Sequence, residues 1–364
     1  MIKIAVFILN TAFFVYTNFS FVFMKKERRP ILQPNELSND AVVSMRTRII
    51  TALVAIAILL PTVLFGDWLF FAVISVALIL AVIEIIRCAK RKYSKVLYIF
   101  SFVLAFLVLV WNIFRNIPFD SAHILFESYN TLYLSITIIF LGICLAAMTV
   151  VIDKGFTIID ACFIFTIVVL VSLGFQSLLF LRYFPSYLYH LGNPSVSYIN
   201  LYDNLESSLL VLFVVVGACL NDAFAYFTGV FFGKHKMIER ISPKKTWEGF
   251  FGGVILTSIF LFAWGMILAI VDNGNHAILK GILDLEHWYH ILVLSLLIPL
   301  VSTLGDLVFS SIKRHYGIKD FSNILPGHGG ILDRLDSIVF ASTTVAIYVL
   351  IFYAFYNGGG FHLP

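Results

Sequence analysis

Long apolar runs, each of about 20 residues, alternate along the chain with short polar segments. A run of this length spans the hydrocarbon core of a bilayer as an α-helix, because 20 residues rise about 30 Å. Gly, Pro, Asn and Asp mark several gaps, as at Gly66-Asp67, which favours turns there. The pattern predicts ten helices, at residues 4–23, 48–65, 68–86, 96–114, 131–151, 156–181, 207–232, 250–271, 290–312 and 337–356.

The composition agrees with a membrane protein. Hydrophobic residues make up 60% of the chain, whereas soluble domains contain roughly 45–50%. The predicted fold class is all-α, a polytopic integral membrane protein of about nine to ten transmembrane helices. The run at 4–23 is followed by positive charges and lacks small residues at its end, so it is interpreted as a helix rather than a signal peptide. A shorter form that begins near Met24 is the alternative.

Lysine and arginine residues are concentrated in alternate loops. Four segments are rich in them: 25–48, 87–95, 234–245 and 313–334. Three loops of the opposite set, at 115–130, 182–206 and 272–289, hold one basic residue each. Because basic loops remain on the cytoplasmic side of a membrane, the four basic segments are predicted to be cytoplasmic. The two loops richest in polar groups then lie on the same face.

We divide the chain into three regions. Residues 1–45 are predicted to form an N-terminal apolar helix and a cytoplasmic linker, and residues 46–205 a scaffold of transmembrane helices with few buried charges. Residues 206–364 form the predicted catalytic transmembrane region, with two cytoplasmic motif loops. The four cysteines stand singly, and HExxH, GxxxxGK[ST] and GxSxG are absent, which argues against zinc, P-loop and α/β-hydrolase chemistry.

Asp306, Ser310 and Lys313 lie four and three residues apart at the end of an apolar run. Positions with this spacing are neighbours on one face of a helix. A carboxylate, a hydroxyl and an ammonium would therefore meet at the cytoplasmic end, where they could hold a cation and contact a phosphate. A polar stripe packed inside a helix bundle is the alternative interpretation.

The segment 326–336 is rich in glycine and charge. Its glycines would let backbone amides approach a phosphate closely. Asp333 and Asp336 are three residues apart and would share a face at the start of the next helix. Together with Asp306 they predict an all-oxygen site of the kind that suits Mg²⁺, with phosphate oxygens completing the shell. For Asp333, favourable placement at a helix N-terminus is the alternative.

Two other stretches also carry polar groups. The segment 242–249 contains Lys244, Lys245 and Thr246, which suit a polyphosphate or an anionic headgroup. A solvated basic loop beside anionic lipid explains the lysines equally well. Asp222 lies within an apolar run and is not expected to face lipid. It either lines the same cleft or forms a hydrogen bond to another helix.

Three blocks of residues form one pattern. They are the segment 242–249, Gly305-Asp306-Leu307, and the run 310–336, in which Ser310-x-Ile312-Lys313-Arg314 is followed by Lys319-Asp320 and by Pro326-x-His328-Gly329-Gly330-Ile331-x-Asp333-Arg334-Leu335-Asp336. The pattern closely resembles the signature of the phosphatidate cytidylyltransferases, also called CDP-diacylglycerol synthases. The blocks lie within residues 220–336, whereas the first 200 residues resemble that family only in being hydrophobic.

The resemblance implies an integral membrane enzyme that joins CTP to phosphatidic acid, giving CDP-diacylglycerol and pyrophosphate for phospholipid synthesis. It implies a requirement for Mg²⁺, and a second metal, including a monovalent ion such as K⁺, is a further expectation. A homodimer in a bacterial cell membrane is expected, with its site facing the cytoplasm and without a nucleic-acid partner.

The resemblance also implies roles for individual residues. Asp306, Asp333 and Asp336 would hold the metal, with Ser310 and Lys313 beside them as further catalytic residues. The expected substrate-binding residues are Asp222, Lys244, Lys245, Thr246, Arg314, Lys319, His328, Gly329, Gly330 and Arg334.

The chemistry of phosphoryl transfer agrees with these residue types, because metal and basic side chains supply charge neutralisation and positioning. Two other functions are considered. One is a CTP-dependent transferase that acts on another lipid phosphate or on a lipid alcohol. The other is a transporter, which would place charges near helix centres and break helices in paired halves. Here the charges lie at the predicted cytoplasmic ends.

Overall fold

The computed structural model describes residues 39–89, 93–116, 129–152, 156–192, 201–271, 278–279 and 282–356. This part of the chain contains nine helices and one two-stranded antiparallel sheet. The helices are α1 (Asn39–Phe65), α2 (Asp67–Cys88), α3 (Lys95–Asn116), α4 (Tyr129–Ile152), α5 (Ile158–Gly192), α6 (Leu201–Phe232), α7 (Trp247–Ile270), α8 (Trp288–His315) and α9 (Leu332–Tyr356). The strands are β1 (Lys236–Ile238) and β2 (Ser242–Thr246), which form a hairpin between α6 and α7.

The mostly helical membrane architecture predicted from the apolar runs is confirmed. Each predicted helix from 48–65 onward corresponds to one observed helix, while the predicted helix 4–23 lies outside the described residues. Within the described residues, six helices (α2 and α5 to α9) are long and apolar enough to cross a membrane, and α1, α3 and α4 contain shorter apolar stretches. Nine to ten membrane spans therefore stay a prediction.

The clearest differences between the observed and the predicted elements are three. The hairpin was not predicted, because Ser242–Thr246 is a polar segment without the alternation that indicates a strand. Helix α1 begins at Asn39, inside the predicted linker. Helix α5 continues to Gly192, so Arg182 lies in a helix rather than in a loop.

Arg182 is buried in α5 because the backbone of α1 supplies an acceptor. Its Nε donates a hydrogen bond of 2.9 Å to the carbonyl oxygen of Val63, and Ser208 Oγ donates to the same oxygen at 2.8 Å. Gly66 separates α1 from α2 with a φ of 66°, in the left-handed region that favours glycine. These bonds join the C-terminal end of α1 to the C-terminal part of α5 and the N-terminal part of α6.

The two polar loops lie together at the other end of the bundle. Arg314, in the last turn of α8, donates from Nε to the carbonyl oxygen of Ile241 in the hairpin, at 3.1 Å. The alternation of basic loops predicted that these segments share one face, and the structure brings them into contact. From Thr47 onward the described residues form one compact unit.

Small residues bring the helices of the polar half close together. A Cβ atom on Gly253 of α7 would lie 2.8 Å from the Cβ of Ala225 in α6, nearer than real Cβ atoms approach. A Cβ on Gly217 of α6 would lie 2.9 Å from the side chains of Ile298 in α8 and Leu261 in α7. Glycine at such positions lets transmembrane helices approach closely. Side chains near the ends of these helices can therefore converge on one site.

Candidate active site

The loop between α8 and α9, residues 316–331, folds back on itself. The amide of Leu325 donates to the carbonyl of Gly329 at 2.9 Å, and the amide of Gly329 donates to the carbonyl of Leu325 at 3.1 Å. Gly317, Gly327 and Gly329 have φ values of 62°, 75° and 88°. Residues with a Cβ rarely adopt this conformation, so the glycines permit the fold of the loop. The loop thus has a defined, hydrogen-bonded conformation of its own.

Asp333 lies in the first turn of α9 and both of its carboxylate oxygens have partners. Oδ1 accepts from Nζ of Lys313 at 2.8 Å, and Oδ2 accepts from the amides of Phe321 at 2.8 Å and Gly330 at 3.0 Å. The side chains are 3% exposed for Asp333 and 10% for Lys313. The Lys313 ammonium also lies 5.5 Å from the ring centre of Phe321. This buried pair ties the loop to α8 and neutralises both charges.

Asp306 has different partners, although it shares a helix face with Lys313 as predicted. Its Oδ1 accepts a hydrogen bond of 3.0 Å from Ser310 Oγ, one turn later on α8. Its Oδ2 lies 2.5 Å from Nζ of Lys245, which belongs to strand β2. The hairpin therefore places the Lys245 ammonium beside a carboxylate of α8.

Asp336 approaches Asp306 because α8 and α9 pack closely at Gly305. A Cβ on Gly305 would lie 2.7 Å from the backbone oxygen of Asp336, so a larger residue would force the helices apart. Asp336 is 6% exposed, and its Oδ1 accepts from the amide of Ser337 at 2.7 Å. Ser337 Oγ donates to Oδ2 of Asp222 on α6 at 3.4 Å. These contacts place Asp306 of α8, Asp336 of α9 and Asp222 of α6 around one region.

This region carries more negative than positive charge. Lys245 pairs with Asp306, and within the described ranges neither Asp222 nor Asp336 has an ion-pair partner. No group of three or more His, Cys, Asp or Glu side chains in the described part of the chain could hold a metal ion by itself. Mg²⁺, however, is usually held by one or two carboxylates together with substrate phosphates and water. The carboxylates of this region therefore fit a Mg²⁺ ion that the phosphates of a substrate also bind.

The predicted phosphate-binding residues of the hairpin differ in how exposed their side chains are. Lys244 is exposed, while Lys245 beside it is partly buried, as expected for neighbours on a strand, whose side chains point to opposite faces. Thr246 ends the strand and caps α7, because its Oγ1 accepts from the amide of Gly249 at 3.1 Å. Lys319, in the other loop, is exposed.

The two predicted arginines are bonded to the backbone. Arg334 donates from Nε and Nη2 to the carbonyl oxygen of His328, at 2.9 and 2.7 Å. Arg314 joins the hairpin to α8 through Ile241. His328 is half-buried, and its Nδ1 has no hydrogen-bond partner among the described residues. The arginines therefore shape the two loops, and each keeps further N–H groups for a ligand.

Glu84 of α2 is a site residue that sequence reasoning missed. Its Oε1 accepts from Ser322 Oγ at 2.6 Å and from the amide of Ile331 at 2.9 Å, and its Oε2 accepts from the amide of Leu332 at 2.8 Å. A Cβ on Gly330 would lie 2.7 Å from the Glu84 oxygens. The available signal was a lone carboxylate within an apolar run. The predicted scaffold region thus contributes a buried charge to the signature loop.

Glu248, in the first turn of α7, belongs to the signature segment 242–249, although no individual role was predicted for it. Its carboxylate accepts from the amides of Lys234 and His235, at 3.1 and 3.2 Å, and lies 2.6 Å from Nδ1 of His235. These contacts fasten the chain before β1 to the helix that follows β2. Glu248 therefore holds the base of the hairpin that carries Lys245.

Known proteins resemble this chain over most of its length. A phosphatidate cytidylyltransferase of Staphylococcus saprophyticus is 30% identical over 296 residues, which cover 81% of this chain and 95% of that protein. The phosphatidate cytidylyltransferase of Staphylococcus haemolyticus is 31% identical over 302 residues, with the same shares. The model of the cytidylyltransferase family matches residues 46–352, which include every site residue described above. The resemblance predicted from the signature blocks is confirmed, and the chain belongs to the cytidylyltransferase family.

Proposed function

We propose that this chain transfers CMP from CTP to phosphatidic acid, forming CDP-diacylglycerol for phospholipid synthesis and releasing pyrophosphate. The observation that carries the proposal is the ion pair of Lys245 with Asp306, next to the close contact of Gly305 with the backbone of Asp336, in a part of the chain that the cytidylyltransferase family covers. The names of the Staphylococcus relatives support phosphatidate as the acceptor. The long apolar helices support a substrate that carries acyl chains.

The reaction needs charge neutralisation rather than a strong base. An oxygen of the lipid phosphate attacks the α-phosphorus of CTP and forms a new P–O bond. The bond from that phosphorus to the oxygen bridging the β-phosphorus breaks, and pyrophosphate leaves with this oxygen. The second pKa of a phosphate monoester is about 6, so the nucleophile is already an anion near neutral pH. The enzyme must bring two anions together in line.

Lys245 is the proposed phosphate contact closest to the carboxylates. Its side chain is 27% exposed, so its ammonium can reach a phosphate oxygen while it remains near Asp306. Lys313 is more deeply buried and is held by Asp333. We assign Lys313 to electrostatic support of the site and to the placement of the loop, with Ser310 orienting Asp306.

Asp306 and Asp336 are the proposed ligands of Mg²⁺, with Asp222 as an additional negative charge beside them. Mg²⁺ would supply positive charge that offsets the charge of the phosphates. Asp333 as a ligand stays a prediction, because a metal at its Oδ1 would have to displace Lys313. A second metal, including K⁺, also stays a prediction.

The remaining nucleotide and lipid contacts are proposed for the hairpin and the signature loop. In the hairpin, Thr246 has a hydroxyl that already caps α7, so Lys244 is the freer group for a phosphate. In the loop, backbone amides near Gly329 and Gly330 are suited to phosphate oxygens. The other proposed contacts are Asp222, Arg314, Lys319, His328 and Arg334.

The proposed membrane orientation is supported by the basic segments. We propose that both loops face the cytoplasm of a bacterium, because three basic segments lie at or near the end of the bundle that carries the site. The Staphylococcus relatives support a bacterial membrane. A homodimer stays a prediction from the family resemblance.

The test uses full-length protein purified in detergent micelles with Mg²⁺, phosphatidic acid and CTP labelled at the α-phosphorus. We expect the label in CDP-diacylglycerol and release of one pyrophosphate for each lipid formed. CTP labelled at the γ-phosphorus should leave the lipid unlabelled, whereas a CTP-dependent lipid kinase would label it. Diacylglycerol and other lipid phosphates in place of phosphatidic acid test the alternative acceptors. Transfer of the γ label, or preference for another acceptor, would contradict the proposal.

A further inference from the structure

Glu84 is a buried carboxylate on a helix that carries none of the proposed reacting groups. It is 1% exposed and lies near the end of α2. All three of its hydrogen bonds go to the signature loop and to the start of α9. Since a buried charge is costly unless it is well bonded, these contacts must offset its desolvation. A neutral side chain would fill the same space without that cost.

The bonds from Glu84 place it as a cap on α9, contributed by a different helix. The first amides of a helix have no partner within the helix, and the helix dipole favours a negative charge beside them. Glu84 accepts from two of these amides, those of Ile331 and Leu332. The start of α9 is therefore fixed against α2, both along the helix axis and in rotation.

This cap lies next to the acidic residues of the site along the chain. Asp333 follows Leu332 directly, and Asp336 lies about one helical turn later on the same helix. A change in the rotation of the first turn would move both carboxylates together. Because Gly305 allows α8 to lie against the backbone of Asp336, the distance between Asp306 and Asp336 depends on this register.

The scaffold helices also hold the loop at a second point. Thr51 of α1 donates from Oγ1 to the carbonyl oxygen of Pro326 at 3.0 Å. Glu84 holds Ser322 on the same stretch of the loop. On the other side, Lys313 of α8 pairs with Asp333. The loop is thus held between α1 and α2 on one side and α8 on the other.

We propose that Glu84 is a positioning residue whose carboxylate sets the register of the first turn of α9 and so places Asp336 against Asp306. The expected effect of Glu84 on kcat rests on the proposed cytidylyltransferase reaction. Its expected effect on the local structure of the loop and of α9 does not. Glu84 touches no reacting atom, and it acts through the amides of Ile331 and Leu332.

The test compares Glu84→Gln with Arg182→Gln. Arg182 is a matched control because it is also 1% exposed and bonds to a backbone carbonyl, but at the opposite end of the bundle. Displacement of a catalytic group by about 1 Å can lower a rate about 100-fold. We expect Glu84→Gln to lower kcat to about that extent and to change the KM for CTP less than about threefold, whereas Arg182→Gln keeps kcat.

Hydrogen exchange measured by mass spectrometry gives a readout that does not require activity. Glu84→Gln should raise deuterium uptake in residues 321–336, whereas Arg182→Gln should raise it near Val63 and Ser208. Unchanged uptake in 321–336 would overturn the inference, whether or not the wild type transfers CMP. Equal losses of thermal stability in both variants with unchanged kcat would also overturn it, because Glu84 would then be only structural.

A milder variant covers the case in which Glu84→Gln does not fold. Glu84→Asp keeps the negative charge but draws the carboxylate back by one methylene from the amides of Ile331 and Leu332. We expect about a tenfold lower kcat and a smaller rise in uptake over 321–336. Wild-type kinetics together with wild-type exchange in Glu84→Asp would count against the positioning role.

Discussion

The ammonium of Lys245 lies 2.5 Å from the carboxylate of Asp306, so strand β2 and helix α8 meet through one ion pair. The two residues belong to different blocks of the family signature. Their contact explains why a polar segment before α7 and a polar loop after α8 belong to one site. It also leaves Lys313 available to neutralise Asp333 instead of Asp306.

Substitution of Lys245 should impair phosphate binding and transfer. We expect Lys245→Met to lower kcat/KM for CTP about 100-fold, equivalent to about 2.7 kcal/mol, because an ammonium beside the phosphates is lost. Lys236→Met is the control, since Lys236 is an exposed lysine of the same hairpin. Steady-state kinetics with labelled CTP measures both variants. Equal effects of the two substitutions would show that only the net charge of the hairpin matters.

Asp333 and Asp336 should respond differently to the same substitution. Asp333→Asn leaves the buried Lys313 ammonium without its charge partner, so we expect a loss of about 3 kcal/mol or more of unfolding free energy. Asp336→Asn removes a charge that has no ion-pair partner among the described residues, and the fold should keep its stability. Its activity should fall about a thousandfold, which corresponds to about 4 kcal/mol.

Thermal unfolding in detergent, measured with the activity of each variant, separates these roles. Glu286→Gln, an exposed carboxylate before α8, is the control for removal of one negative charge. If Asp336→Asn unfolded as readily as Asp333→Asn, Asp336 would be structural rather than a metal ligand.

A methyl group at position 305 should separate α8 from α9. The added Cβ of Gly305→Ala would lie 2.7 Å from the backbone oxygen of Asp336. Crowding of this kind costs about 1–3 kcal/mol, and displacement of Asp306 from Asp336 should lower activity at least about tenfold. Leu304→Ala, on an exposed position of the same helix, should leave activity near wild type. An active and stable Gly305→Ala variant would show that the close approach is not needed.

Chelation should stop the reaction. We expect EDTA to lower CMP transfer at least about 100-fold and added Mg²⁺ to restore it, since the carboxylates alone repel the phosphates. Asp306→Asn should raise the Mg²⁺ concentration that gives half-maximal rate, because one proposed ligand oxygen becomes a neutral amide. The control is Ser311→Ala on the same helix, where the Ser311 hydroxyl donates to the carbonyl of Val308. Full activity in EDTA would contradict the metal proposal.

The helices were predictable because each depends on the residues of its own segment. Each apolar run is long enough to cross a bilayer, and a chain in lipid must satisfy its backbone hydrogen bonds within itself. Helix bounds were predicted less well, most clearly at α5, which continues 11 residues beyond its predicted end at 181 and includes Arg182. The hairpin was missed because its residues are polar, and its pairing joins Lys236 to Thr246 across a turn.

The residue types of the site were also predictable, but not their partners. The spacing of Asp306, Ser310 and Lys313 correctly placed them on one helix face. It did not indicate that Lys313 would bond Asp333 while Lys245 bonds Asp306, because both contacts depend on how the loops return to α8. Glu84 was passed over for the same reason, since its partners lie on α9 and in the loop before it.

The amino-acid sequence by itself determined the apolar helices, the concentration of polar groups in two loops, and the signature that relates the chain to its family. These follow from the length of apolar runs and from neighbouring residue types, which are local properties. Tertiary structure alone decided which lysine neutralises which aspartate, how closely Asp336 approaches Asp306 at Gly305, and that α2 caps α9 through Glu84. Those outcomes depend on the rotation and spacing of packed helices, which the packing of distant segments sets together.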